Sequence, residues 1–176
     1  MDIKAKKVKL IVLDVDGTMT DGKIYLDNSG NETKAFNVKD GFSIASAINL
    51  GVEVVIITGR ESNVVKIRAK ELGIKEVHQK IKNKIEKLDE IIRKYELNYE
   101  EIGYIGDDIN DLPAMQKVGY KGAPSDAVAE VKSIADFISY AKGGEGAVRE
   151  FIECILKSQG LWQKVMQKYQ FDMPNQ

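Results

Sequence analysis

The sequence predicts an α/β fold built on a doubly wound, Rossmann-like parallel sheet. Short runs of large, β-branched residues alternate with longer stretches of helical periodicity, the pattern of consecutive βα units. The short runs are apolar throughout rather than at every second position, as expected of strands covered by helices on both faces. A third observation places function on that fold. Three of the strands end in polar residues, and open α/β sheets gather functional groups at the carboxyl ends of their strands.

"VKLIVLDV", residues 8–15, is the first buried strand. In "GKIYLDNSGNETKAFNV" two alternating stretches flank the turn-forming "DNSGN", which predicts an inserted β-hairpin over residues 23–37. "DGFSIASAINLG" has helical spacing of Ile44, Ala45 and Ile48, with a stop at Gly51. "VEVVIIT" is a second buried strand and "ESNVVKIRAKELG" a helix ended by Gly73. A short strand near "KEVHQ" precedes the long helix "NKIEKLDEIIRKYEL", whose Ile85, Leu88, Ile91 and Ile92 share one face. "EIGYIG" is a strand and "DDINDLPAMQKVG" a loop followed by a helix. "YKGAP", "DAVAEVKSIA" and "DFISYA" give a strand, a helix and a strand; "GGEGAVREFIECILKSQG" is a closing helix and "LWQKVMQKYQF" an amphipathic tail within 159–176. At 176 residues, without repeats or a Pro/Gly-rich linker, the chain reads as one domain, 1–176.

Composition narrows the function classes. A net charge of −1 offers no field to attract nucleic acid or an anionic membrane, so neither is an expected partner. Any anionic ligand must be caught by local groups or a metal. Cys154 is the one cysteine, which excludes a disulfide framework and suits a reducing cytoplasm. It sits in an apolar-periodic stretch with no polar partner visible, a poor setting for a nucleophile. The charged start "MDIKAKK" leads into too few apolar residues for a signal peptide or a membrane span, so a cytoplasmic location is expected.

The chemistry lies in the strand ends. Asp14 and Asp16 close the first strand, Thr58, Gly59 and Arg60 the second, and Asp107, Asp108 and Asp111 a later one. Carboxylates brought to one sheet edge repel one another and are costly to desolvate unless a cation offsets them. Hard oxygen ligands with no histidine or cysteine nearby point to Mg²⁺ rather than zinc, and Mg²⁺ typically pairs carboxylates with a substrate phosphate. The expected metal set is Asp14, Asp16 and Asp107, with Asp108 and Asp111 behind it. Asp14 is the expected nucleophile on phosphorus, forming an aspartyl-phosphate. Asp16 protonates the leaving alkoxide and then deprotonates the hydrolytic water. Amides of the turn that Gly17 permits, the Thr58 hydroxyl and the Lys84 ammonium would hold the phosphoryl oxygens.

"DVDGT", "ITGR", "NK" and "GDDINDLP" stand in the order and spacing of the four motifs of the haloacid dehalogenase-like (HAD) phosphohydrolase superfamily, which the chain resembles over residues 8–150. The segments that hold a cap domain in that superfamily are too short for one here. Within it, "DGKIY", "FNVKDG", "ITGRES", "GYIGDDINDLP" and "GGEGAVRE" resemble the capless 3-deoxy-D-manno-octulosonate 8-phosphate (Kdo 8-phosphate) phosphatases. The resemblance implies a Mg²⁺-dependent phosphatase of lipopolysaccharide precursor synthesis. It also implies a homotetramer in which a neighbouring subunit closes each site. Asn37, Val38, Lys39, Asp40 and Gly41 would line the substrate site, with Arg60, Arg68 and Lys84 meeting phosphate and sugar-acid groups. "GGEGAVRE" and the tail would lie near a neighbour's site. One departure stands out: Ala45 occupies a position where that family usually has a basic residue. Phosphatases of nine-carbon sialic-acid-type 9-phosphates share the architecture and are the alternative, with Arg60 favouring the Kdo branch.

Other readings compete. A phosphomutase would need a cap to exclude water. A phosphoaspartate receiver carries its acceptor on a middle strand, whereas the acid pair here ends the first. A catalytically idle scaffold would have no need of every motif residue. Residue by residue, Asp108 could simply cap a helix, Arg68 could be a solvated helix residue, and Lys80 could take the place given to Lys84. His78 reads as structural, and Tyr25 and Phe36 as core or subunit contacts. Leu161, Trp162, Val165, Met166 and Tyr169 form an apolar stripe suited to a partner or to the chain's own surface.

Overall fold

The computed structural model describes residues 2–170. The strands are β1 (Leu10–Leu13), β2 (Tyr25–Leu26), β3 (Glu32–Thr33), β4 (Glu53–Ile57), β5 (Glu76–His78), β6 (Ile102–Ile105), β7 (Tyr120–Ala123) and β8 (Phe137–Ile138). The helices are α1 (Ile3–Lys6), α2 (Val38–Asn49), α3 (Asn63–Leu72), α4 (Lys84–Tyr95), α5 (Leu112–Met115), α6 (Ala129–Ile134), α7 (Ala147–Ser158) and α8 (Trp162–Lys168). Six strands form one sheet in the order β5-β4-β1-β6-β7-β8, with every pair parallel. Among the described residues β2 and β3 pair only with each other, antiparallel, as the inserted hairpin.

The continuous apolar runs serve two faces. Ile11, Leu13, Val54 and Ile56 join a core with α2 and α7, while Leu10, Val12, Val55 and Ile57 join a second core with α4, α5 and α6. This period of two within an all-apolar strand is the two-sided burial that the sequence predicts. β1 is central, with the chain winding to β4 and β5 on one side and to β6, β7 and β8 on the other. The reversal of winding at β1 opens a crevice at its carboxyl end, where Asp14 lies.

Two boundaries differ from expectation. The charged start forms the short helix α1, capped by the Asp2 carboxylate, which accepts hydrogen bonds from the amides of Lys4 (2.8 Å) and Ala5. α2 begins two residues before the predicted start, at the N-cap Asn37, whose Oδ1 accepts the Lys39 amide at 2.8 Å. The tail stripe is bound by the chain itself: Trp162 and Val165 are buried in the α2/α7 core, and the Arg149 guanidinium lies 4.8 Å from the Trp162 ring centre. Tyr169 meets Phe42 with ring centres 5.6 Å apart. The sequence periodicity identifies an apolar face but not which surface receives it. Among the described residues no helix is long and apolar enough to cross a membrane.

Because Trp162 fills the chain's own core, Trp162→Ala is expected to lower the unfolding free energy by about 3–5 kcal/mol in urea titrations. A change below about 0.5 kcal/mol, the range of surface substitutions, would contradict this packing.

Candidate active site

Asp14 directly follows β1, its amide still bonded to the Ile105 carbonyl at 3.1 Å and its side chain nearly inaccessible. The Lys84 ammonium reaches it from the first residue of α4, a helix started by the Asn83 cap. Lys84 is only 3% exposed, and its Nζ donates to Asp14 Oδ1 at 2.8 Å and to Asp111 Oδ1 at 2.6 Å. Asp111, wholly buried, also accepts the Tyr104 hydroxyl at 2.7 Å and the amides of Asp107 (3.2 Å) and Asp108 (3.4 Å). Its oxygens are therefore engaged in holding Lys84 and the loop after β6. Lys80, the alternative cation, instead pairs with Glu61.

Asp107 completes the group. Its Oδ1 accepts the Thr18 hydroxyl at 2.9 Å. Gly17 lies against it with φ +92°, where a Cβ would stand 2.0 Å from Asp107 Oδ2. That close approach, together with the positive φ, is why this turn needs glycine. One carboxylate oxygen from each of Asp14, Asp107 and Asp111 lies within 4.8 Å of the others. Against three carboxylates the cluster holds one buried cation, Lys84. Burial, reinforced by the Asp111 charge and only partly opposed by Lys84, pushes the Asp14 carboxyl up to about 8. Burial likewise raises Asp107 to about 7, against the Thr18 hydrogen bond. Burial alone would lower Lys84, but Asp14 and Asp111 outweigh it and raise the ammonium. The residues present thus fit a hard divalent cation: oxygen donors, clustered, and short of positive charge.

Asp16 is not among the three clustered carboxylates. Its carboxylate pairs with the Lys34 ammonium, with Arg60 Nε at 3.8 Å from its other oxygen. Arg60, half exposed, is anchored on Glu32 at 2.9 Å. Asp108 is a cap: its Oδ1 accepts the Ile109 amide at 2.7 Å, so its side chain serves the turn rather than the cluster. Thr58 is buried at the end of β4, its backbone bonded to His78 and Ile81. His78 pairs with Glu76 at 3.1 Å, a structural contact.

The 37–41 segment sits beside the site and supports it. Asn37 Nδ2 donates to the Gly144 carbonyl at 3.3 Å, Val38 points outward, and Lys39 is exposed. The buried Asp40 carboxylate accepts the Arg149 amide at 2.7 Å near the start of α7. Burial raises Asp40 to about 6 despite the bonds from Arg149 and Gly146. Gly41 is covered by Arg68, whose Nη1 pairs with Glu71 at 2.8 Å. The loop before α7 presses on the turn after Asp14: the Gly144 amide donates to Thr18 O at 3.0 Å, and a Cβ on Gly143 would lie 1.8 Å from Gly17 O. Asp40 thus fixes α7 and the glycine loop, a role that a sequence reading cannot separate from ligand contact.

Lys34, Glu32, Thr18 and Tyr104 escaped the sequence reading. For the first two a signal existed. Glu32, Lys34 and Phe36 recur at period two on the hairpin's second strand and its continuation, the inward-facing set. Tyr120, whose hydroxyl is 3.2 Å from Cys154 Sγ, supplies the polar neighbour that the sequence around that cysteine lacks.

Known proteins resemble this chain in sequence and fold. The description haloacid dehalogenase-like hydrolase belongs to the family pattern matched by residues 61–152. The 3-deoxy-D-manno-octulosonate 8-phosphate phosphatase of Salmonella typhi is 42% identical over 157 residues, spanning 89% of this chain and 84% of its own. The Moraxella catarrhalis phosphatase of that name, crystallised with magnesium, phosphate and KDO, superposes with a TM-score of 0.92 at 38% identity, covering 94% of this chain and 95% of its own. The cobalt-bound Haemophilus influenzae protein superposes with a TM-score of 0.88 at 33% identity, covering 97% and 96%. With its Asp14, Lys84 and Asp107 converging at the end of a central parallel strand, the chain belongs to the haloacid dehalogenase-like hydrolases and, within them, to the 3-deoxy-D-manno-octulosonate 8-phosphate phosphatase family.

Proposed function

We propose that this chain hydrolyses 3-deoxy-D-manno-octulosonate 8-phosphate to the free sugar acid and inorganic phosphate, a step in lipopolysaccharide precursor synthesis, through an aspartyl-phosphate on Asp14. The observation that carries the reading is the pinned carboxylate: Lys84 holds Asp14 Oδ1 at 2.8 Å, leaving Oδ2 to attack. Asp14 and Asp107 are the residues that would hold Mg²⁺, which when bound supplies the charge that lets a phosphate dianion approach these acids.

The chain's own residues carry the rest. As Asp14 Oδ2 bonds to phosphorus, the bond from phosphorus to the sugar oxygen breaks, and Asp16 gives its proton to that oxygen. Asp16 then takes a proton from water as water attacks the phosphoryl group, which frees Asp14 and releases phosphate. The Lys84 ammonium, the Thr58 hydroxyl and amides of the Gly17 turn face the developing charge. Arg60 and the exposed Lys39 are the cations open to the sugar-acid carboxylate, with Asn37, Val38, Asp40, Gly41 and Arg68 shaping the wall behind them.

The hairpin supports assembly around this site. Ile24, Tyr25 and Leu26 are exposed on a two-stranded ribbon, an element marginal by itself in water. A homotetramer in which a neighbouring copy covers that ribbon and closes the open site follows from this reading, as does a cytoplasmic location.

Three outcomes are expected. Asp14→Asn reduces phosphate release by at least on the order of 10⁴-fold without unfolding the chain; residual turnover near wild type would refute the nucleophile. In parallel assays with Mg²⁺, Kdo 8-phosphate is preferred over a nine-carbon sugar-acid 9-phosphate and over glucose 6-phosphate. Equal rates on all three would overturn the substrate and leave the phosphatase standing.

The third outcome concerns pH. Asp14 at about 8 and Asp107 at about 7 lie above their unfolded values, so the metal-free folded chain binds more protons than the unfolded one. Its stability therefore falls as pH rises from about 5 to about 8, and Mg²⁺, which binds the ionised carboxylates, restores it at the upper end. Melting curves with and without Mg²⁺ check this. A Mg²⁺-induced shift of equal size at both ends of the range would contradict it.

A further inference from the structure

We propose that Lys34 is a positioning residue for the reaction: by holding Oδ1 it fixes the orientation of the Asp16 carboxylate and leaves Oδ2 to face the leaving group. The inference rests on the phosphatase reading above and adds a role that neither the strand-end acids nor the comparisons assign. Lys34 follows β3 directly, and its side chain is 1% exposed, rare for a lysine without a specific partner. Its ammonium donates to Asp16 Oδ1 and lies 3.4 Å from Glu32 Oε1. Glu32 in turn holds Arg60 at 2.9 Å. A buried ammonium between two carboxylates is strongly held, because removing either partner would leave a buried cation less well paired.

The geometry divides the two oxygens of Asp16. Oδ1 is occupied by Lys34, while Oδ2 has Arg60 Nε at 3.8 Å, beyond hydrogen-bond length. Oδ2 is thus the oxygen left to meet the sugar oxygen as its bond to phosphorus breaks and the bond from Asp14 to phosphorus forms. Without Lys34 the Asp16 side chain would rotate among its staggered positions, and proton transfer depends on a fixed donor-to-acceptor geometry. The hairpin is then part of the catalytic apparatus as well as an apolar ribbon.

The test compares two leaving groups. Hydrolysis of Kdo 8-phosphate expels a sugar alkoxide and needs the proton from Asp16; 2,4-dinitrophenyl phosphate expels a stable phenolate and does not. Because kcat/KM reports only steps up to the first irreversible bond cleavage, it isolates this proton donation from the later water attack. Lys34→Met is expected to lower kcat/KM for Kdo 8-phosphate by about tenfold or more, while the value for the dinitrophenyl ester changes less than about threefold. Lys34→Arg, which keeps the charge, is expected to recover most of the loss. A purely structural lysine would lower both substrates together, so an unchanged ratio, or no recovery with arginine, overturns the proposal. If Lys34→Met does not fold, Glu32→Gln decides: it removes the second anchor of Lys34 and is expected to shift the ratio in the same direction by a smaller factor, and an unshifted ratio overturns the proposal. Wild type and Asp14→Asn run alongside. Loss of both activities in Asp14→Asn with an unshifted ratio in Lys34→Met sinks this inference alone, whereas activity that survives in Asp14→Asn sinks the parent reading and this inference with it.

Discussion

The Lys84 ammonium between Asp14 and Asp111 is the contact on which the site depends. It reaches from the first turn of α4 to the end of β1 and to the loop after β6, so it ties three separated stretches of chain to one point. One ammonium does not balance three carboxylates, and the imbalance carries chemical information. With the Asp14 carboxyl at about 8, ionising it at pH 7 costs on the order of 1 kcal/mol, an amount that a divalent cation readily offsets. The site is therefore short of positive charge. Asp111 is saturated by Lys84, Tyr104 and two amides, which leaves Asp14 and Asp107 as the donors with capacity for a cation.

A second group of charges serves a different purpose. Asp16 stands two residues from Asp14 yet belongs to the hairpin's network of Lys34, Glu32 and Arg60. Two neighbouring acids are thus placed in unlike surroundings, one in the buried cluster with Lys84 and one on the hairpin's Lys34. Glycines make the close approaches possible. Gly17 leaves room for Asp107, and Gly143 lies directly on the Gly17 carbonyl, so the loop before α7 braces the turn after the nucleophile. Asp40 secures that brace from α2 by accepting the Arg149 amide.

The order of strands and helices was legible because each buried strand is a continuous apolar run and each helix an amphipathic one. Asp14, Lys84 and Asp107 were legible because paired acids at strand ends have few structural uses. The roles of Asp16, Asp108 and the 37–41 segment were less so, since spacing places a residue at an edge without saying which way its side chain turns. Asp16 pairs with Lys34, a lysine that only the period-two alternation with Glu32 and Phe36 sets apart from the solvated residues of a polar hairpin. Asp40 shows the same limit: a carboxylate beside the site can bind substrate or cap a helix, and only the position of α7 distinguishes the two. The tail stripe was visible as apolar, but its docking onto α2 and α7 depends on Arg149 and Phe42, which are distant in sequence.

In the proposed mechanism Asp14 and Asp107 hold one divalent ion while an oxygen of Asp14 stays free for phosphorus. A crystal grown with Mg²⁺ and beryllium fluoride tests this most directly, because the trifluoride adds to a carboxylate as a phosphoryl group does. Beryllium is expected on Asp14 Oδ2, with the ion coordinated by Asp14 and Asp107 and Lys84 still on Oδ1. Beryllium on another residue, or Mg²⁺ bound away from this pair, would contradict it.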